Sequence, residues 1–149
     1  LEVDYVSIHN PDRDGRMIVP HTIVHTGLRW HVRAWCEKNQ DYRDFVLSRF
    51  RGDAEIMDIS EHGHEDDTRW HEPVTIRVVP DPRLSAEQKE VVEHDYGMQD
   101  GVLEVTTRGS LVQYALQALH IDTSIVQLLP EAQQISVENF SEIENYLFQ

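Results

Sequence analysis

The stretch Arg29-Trp30-His31-Val32-Arg33-Ala34-Trp35 sets an imidazole, a guanidinium and an indole at every second position. In a strand, alternation places His31, Arg33 and Trp35 on one face and Trp30, Val32 and Ala34 on the other. The second set is core material. The first suits a base and its phosphate, because cationic and aromatic groups recognise both parts of a nucleotide. The alternative is a solvated strand face with one exposed Trp. A following strand, Arg43-Asp44-Phe45-Val46-Leu47-Ser48-Arg49, carries Arg43 and Arg49 on one side, roughly 20 Å apart if it is straight. That spacing fits a groove for a short oligonucleotide better than a clamp on one phosphate. The alternative is an ordinary surface bridge from Arg43 to Asp41 or Glu37.

Two other chemistries find less support. His62, His64, Glu65, Asp66, Asp67 and His71 are residue types that bind zinc or nickel. No regular element fixes their geometry, so the run reads as a solvated loop and no metal site or cofactor is predicted. Ser7, Ser48 and Ser110 lack a glycine-elbow context, and no helical HExxH occurs. No catalytic residue is assigned, and the chain is not expected to be an enzyme.

The elements that must position these side chains change character along the chain. Leu1 to about Ile8 reads as a strand, and Asn10 to Gly15 is dense in turn formers. Arg16 to His25 is a second strand that Pro20 marks as an edge or a bulge. His25-Thr26-Gly27 turns into the third strand, Arg29 to Cys36, and Lys38 to Asp41 into the fourth, Arg43 to Phe50. Glu55 to Ile59 makes a short fifth. Five short strands with tight turns predict a small barrel over residues 1–60. Residues 61–73 have no hydrophobic periodicity and read as an exposed acidic, His-rich linker.

Residues 74–149 alternate strand and helix. Val74 to Val79 is a strand. Ser85 with Gln88 forms a capping box for a helix that Gly97 ends. Val102 to Thr107 is a strand, and Ser110 with Gln113 opens a second helix. Ile125 to Leu128 reads as a last strand, and a terminal helix begins near Ser136. A short strand near Met98 would complete a ferredoxin-like layer. The class is α+β, mainly β.

Composition narrows the partners. The chain has 149 residues with 13 basic and 27 acidic side chains, a net charge of −14. Such a chain is a poor general binder of duplex DNA. Nine of the 13 bases and seven of the nine histidines precede residue 73, so anion-binding chemistry belongs to the first half. The single cysteine, Cys36, allows no internal disulfide and fits a cytoplasmic protein. No membrane span or signal peptide is visible. The absence of Met at Leu1 points to a fragment, and the tail 144–149 resembles a protease-tag scar.

Tyr5-Val6-Ser7, Pro20-His21, Arg29-Trp30-His31-Val32 and Arg43-Asp44-Phe45-x-Leu47-Ser48-Arg49 resemble the motifs of WYL-domain proteins. The namesake Trp-Tyr-Leu stands here as Trp30-His31-Val32. Residues 74–129 resemble the extension that commonly follows this domain. The resemblance implies an Sm/SH3-like barrel followed by a small ferredoxin-like α/β dimerisation module. It implies a bacterial transcription regulator, a homodimer that reaches operator DNA through a winged helix-turn-helix preceding the first residue here. Members of the family are linked to DNA-damage responses and to control of phage-defence operons, and the details here look most like the defence-associated repressors. The WYL pocket is expected to sense a nucleotide or short oligonucleotide through Ser7, His21, His31, Arg43 and Arg49, with Arg33 added from strand alternation. The competing reading is a single-stranded nucleic-acid or protein-interaction module without ligand sensing, in which Trp35 and Trp70 stack or anchor.

Overall fold

The computed structural model describes residues 1–125 and 129–148. They divide into two compact units, Leu1–Thr68 and Arg69–Gln149. The first is one antiparallel sheet of β1 (Glu2–Tyr5), β2 (Asp14–His25), β3 (Trp30–Cys36), β4 (Asp41–Val46) and β5 (Phe50–Glu55), in the order β4-β3-β2-β1-β5. Its core is Val3, Tyr5, Ile18, Val32, Ala34, Cys36 and Phe45. Tyr5 is the hub: its ring meets Phe45 and Phe50 edge-on at 5.0 and 5.1 Å, the favoured aromatic geometry. Its hydroxyl accepts the Val46 N–H at 2.9 Å, where the β4 ladder runs out.

Several expectations are corrected here. The five strands do not close into a barrel: β4 and β5 are the two edges of the sheet. The expected strand Arg43–Phe50 is two elements, because Leu47–Arg49 form a 3-10 turn that redirects the chain into β5. The fifth strand is Phe50–Glu55 and not Glu55–Ile59, and Gly52, at φ 70°, turns it where its register with β1 shifts. Trp30 is no core residue: at the first position of β3 it is 52% exposed and lies against His25 instead.

The second unit has a three-stranded antiparallel sheet in the order β7-β6-β8, from β6 (Pro73–Pro80), β7 (Leu103–Arg108) and β8 (Ile135–Val137). The short helix α1 (Thr68–His71) begins at the last residue of the first unit, and α2 (Ala86–Asp95), α3 (Val112–Ala118) and α4 (Phe140–Ile143) complete the second. Along β6, Val74, Ile76, Val78 and Pro80 are buried and the intervening residues are not, so one face of the sheet carries the core. The Ser85–Gln88 capping box forms with both bonds in place. The Ser110–Gln113 box does not, because Ser110 is buried within a 3-10 turn and α3 starts at Val112 without a side-chain cap. Near Met98 there is a tight turn with one bridge, Gln99 to Val102, in place of the strand a ferredoxin-like layer requires. Most of the expected strand Ile125–Leu128 lies outside the described residues. Among the described residues, no helix is long and apolar enough to cross a membrane.

Candidate anion-binding site

The site begins with a count of residues. From Ile18 to Pro20, β2 pairs with β3 as Ile18–Cys36, Val19–Trp35 and Pro20–Ala34; the next pair is Thr22–Arg33. His21 is therefore the extra residue of a β-bulge, and His21 and Thr22 together oppose Arg33. Proline cannot donate to the ladder, and bulges are where strands tolerate it. A bulge re-aims side chains. Here His21 Nδ1 lies 2.8 Å from the Thr22 hydroxyl, and its Nε2 lies 2.9 Å from Asp67 Oδ2.

Arg33 stands opposite this bulge and opposite Asp44 on β4. Its Nε donates to Asp67 Oδ2 at 2.7 Å and its Nη2 to Asp67 Oδ1 at 2.9 Å, a bidentate pair. Its Nη1 donates to Asp44 Oδ1 at 3.2 Å. His31 Nε2 lies 3.6 Å from the same Asp44 oxygen, too long for a hydrogen bond but close for a charge. The side chains of His21, Arg33, Asp67 and His31 are 6, 9, 2 and 2% exposed. Both faces of β3 are thus buried, where alternation predicted one polar, accessible face. Burial works against the charged guanidinium, but the bonds and charges of Asp67 and Asp44 outweigh it and hold Arg33 above its ordinary range. Burial pushes His31 below its usual value, with Arg33 adding to that effect and Asp44 opposing it.

Asp67 reaches this cluster from the stretch expected to be an exposed linker. His62 stacks on Trp35 with centroids 3.9 Å apart and rings 9° from parallel. The Tyr42 hydroxyl donates to the Gly63 carbonyl at 2.5 Å. Burial, with the charges of Asp66, Asp67 and Glu65, raises the Tyr42 pKa and keeps that hydroxyl a donor. The reason for the difference is electrostatic: a guanidinium buried on the polar face of β3 requires a second carboxylate, and this stretch delivers it. On the other face of the sheet, an apolar cavity of about 420 Å³ lies among Val3, Ile18, Val32, Leu47 and Phe50, with His21 and Thr22 also in its lining.

Of the six expected ligand residues, His21, His31 and Arg33 come together. Arg43 does not join them. It pairs with Ala34, one step out of phase with Asp44, so it lies on the opposite face, half exposed and 3.9 Å from Asp41. Ser7 closes a turn by accepting the Asn10 N–H at 3.0 Å. The Arg49 carbonyl accepts the Val6 N–H at 3.1 Å, which sets Arg49 beside the end of β1 near Ser7. These two form a separate locus.

Residues 1–55 match the WYL domain family, and residues 73–143 match the family described as BrxR transcriptional regulator, C-terminal dimerization domain. Residues 1–55 are thus a WYL domain, followed along the chain by a dimerization domain of the BrxR kind. Three relatives are named DNA-binding transcriptional repressor CapW. The one from Stenotrophomonas maltophilia is 34% identical over 99% of this chain and 49% of its own length. The Escherichia coli (strain KTE188) protein is 36% identical over 96% and 48%. The Pseudomonas aeruginosa protein is 33% identical over 99% and 49%. The chain spans about half the length of these relatives. A solved structure of proteasome accessory factor B/C from Arthrobacter aurescens resembles it at 13% identity and a TM-score of 0.33, covering 97% of this chain and 23% of that one.

Within this cluster, sequence reasoning missed Asp44, Tyr42 and Asp67. The first two were within reach. The turn between Cys36 and Asp41 fixes the hairpin register, which places Trp35 opposite Tyr42 and Arg33 opposite Asp44. Asp67 had no comparable signal, since Glu65, Asp66 and Asp67 are alike in type and only one of them is buried.

Proposed function

We propose that this chain is the effector-sensing and dimerisation part of a DNA-binding transcriptional repressor of a phage-defence or DNA-damage operon, acting in the cytoplasm and without enzymatic activity. The observation that carries the reading is co-linearity. A WYL domain over residues 1–55 and a dimerization domain over residues 73–143 follow one another, and relatives named as repressors align with 96–99% of the chain. DNA binding then falls to the half of the protein that this chain does not span. The second unit supplies the homodimer. We read the first sheet as a small open barrel of the Sm/SH3 kind and the second unit as a reduced ferredoxin-like layer.

The effector in this reading is a nucleotide or short oligonucleotide. His21, His31 and Arg33 supply donors for its anionic part, and Ser7, Arg43 and Arg49 offer donors at places apart from that cluster. Effector binding must favour one state of the repressor over another, since equal affinity for both shifts nothing.

The test is native mass spectrometry of the full-length protein purified from its host with and without phage infection or DNA damage. A dimer carrying a nucleotide adduct that disappears in Arg49→Ala, together with loss of induction in Arg43→Ala or Arg49→Ala, is the expected result. A dimer with no adduct under either condition, and unchanged induction in both variants, points instead to an interaction module. The exposed Trp30 favours that second reading. Affinity that keeps growing with oligonucleotide length would establish it, whereas a plateau at a few nucleotides marks a sensor pocket.

A further inference from the structure

The Arg33 guanidinium and the His21 imidazole form a cradle for an oxyanion, and that cradle is already occupied from within. Asp67 fills it with two oxygens. One takes bonds from Arg33 Nε and from the His21 side at 2.7 and 2.9 Å, and the other takes Arg33 Nη2 at 2.9 Å. The planar fork of an arginine presents this same pair of donors to two oxygens of a phosphate. Trp35 Nε1 is a further buried donor on the same strand face, with no hydrogen-bond partner among the described residues.

The occupant belongs to a short stretch held mainly by this face of the sheet. His62 rests on Trp35, Gly63 on the Tyr42 hydroxyl and Asp67 on Arg33 and His21. His64, Glu65 and Asp66 are exposed. Thr68 follows immediately and is the last residue of the first unit. A side chain that leaves the cradle therefore frees the stretch that leads into the second unit.

We propose that Asp67 is an internal stand-in for the phosphate of the effector, so that the site is held shut by the chain's own carboxylate and opens when a phosphate displaces it. The proposal rests on the sensing role above and names its switch. The energetics suit a switch. The departing carboxylate regains hydration, and the arriving phosphate inherits the same charge-assisted bonds, so the exchange leaves no charge buried alone.

Calorimetry and hydrogen exchange on the 149-residue chain test it. The probes are inorganic pyrophosphate and the 5′-phosphorylated dinucleotide pTpT. The expected result is at least tenfold tighter binding of one or both probes to Asp67→Asn than to the unmutated chain. In the unmutated chain, saturating probe should speed exchange across residues 61–67 at least fivefold. Which probe responds tells a free phosphate compound from a nucleic-acid end. Should Asp67→Asn fail to fold by circular dichroism, exchange in the unmutated chain decides alone. Probe binding with unchanged exchange in 61–67 overturns the latch and leaves the sensor reading standing, with the anion at Arg43 or Arg49. Absence of binding to either protein overturns the latch and removes the effector class proposed above.

Discussion

Arg33 on β3 and Arg77 on β6 hold the same chemical position in the two units: each stands on a central strand between two carboxylates. Arg33 lies between Asp67 and Asp44, and Arg77 between Glu104 at 2.5 Å and Glu138 at 3.3 Å. Their surroundings differ. The Arg33 side chain is 9% exposed, and the Arg77 side chain is 37% exposed with partners more open still. Water already solvates the second set, so its ion pairs replace hydration with little gain. The first set has given up its hydration and depends on its partners being complete. Chemical likeness thus says little about energetic weight, and burial decides it. Apolar replacement of a whole buried set is often neutral or stabilising. Keeping three charges and two imidazoles inside a sheet is therefore poorly explained by stability, which is what directs attention to binding.

The sharpest way to break this comparison is Arg33→Met. It leaves Asp67 and Asp44 buried without a counter-charge and should cost about 3–5 kcal/mol in urea denaturation. A loss no larger than that of an exposed pair would show that the cluster is wetter than its geometry implies.

Asn139→Ala gives an intermediate effect in the second unit. Asn139 is buried, accepts the Arg77 N–H at 2.9 Å, and donates to the Thr75 carbonyl at 2.8 Å and to Glu142 at 3.0 Å. Removing it leaves the part-buried backbone groups of Thr75 and Arg77 on β6 without this partner, and about 1–2 kcal/mol should disappear from the denaturation free energy. The fold of the first unit, followed by hydrogen exchange, should be unaffected.

Acid separates the units in another way. The folded-state pKa of His31 lies below its unfolded value because burial disfavours the charged ring. Below about pH 6.5 the unfolded chain takes up a proton that the folded one refuses. Stability from this group is complete above that pH and is lost as the pH falls toward the folded value. Exchange rates of β3 amides measured at pH 7.5 and 5.5 should show the loss, and His31→Gln should flatten it.

The smallest effect belongs to Arg77→Ala, at about 1 kcal/mol or less and further reduced in 0.5 M salt. Its measurement alongside Arg33→Met is the direct comparison, and equal losses would contradict the burial argument.

Much of this arrangement was legible from residue types. Pro20 marked an edge or a bulge, of which the structure has the bulge that places His21, and the alternation around Arg33 grouped it with His31 and Trp35. The Ser85–Gln88 box marked the start of α2 because its two bonds are local. Long-range satisfaction was not legible. The strand through Arg43 and Arg49 looked continuous because periodicity ignores the turn at Leu47–Arg49, and that turn serves a β1–β5 pairing distant in sequence. Asp67 sat in an acidic run where hydropathy assigns solvent to every member, although one buried guanidinium needed one of them. The second capping box failed for a related reason: the sequence offers Ser110 as a cap, but packing buries it inside a 3-10 turn.

The bulge at His21 has a genetic consequence. Its neighbours pair as they would in an uninterrupted ladder, with Pro20 against Ala34 and Thr22 against Arg33. Deleting His21 would straighten the strand and leave every other cross-strand partner where it is. The sheet would survive, and half of the anion cradle would vanish. One codon therefore separates a strand that only builds the sheet from one that also reaches Asp67. Side-chain replacement alone cannot show this, because an alanine at that position still occupies the extra place in the count.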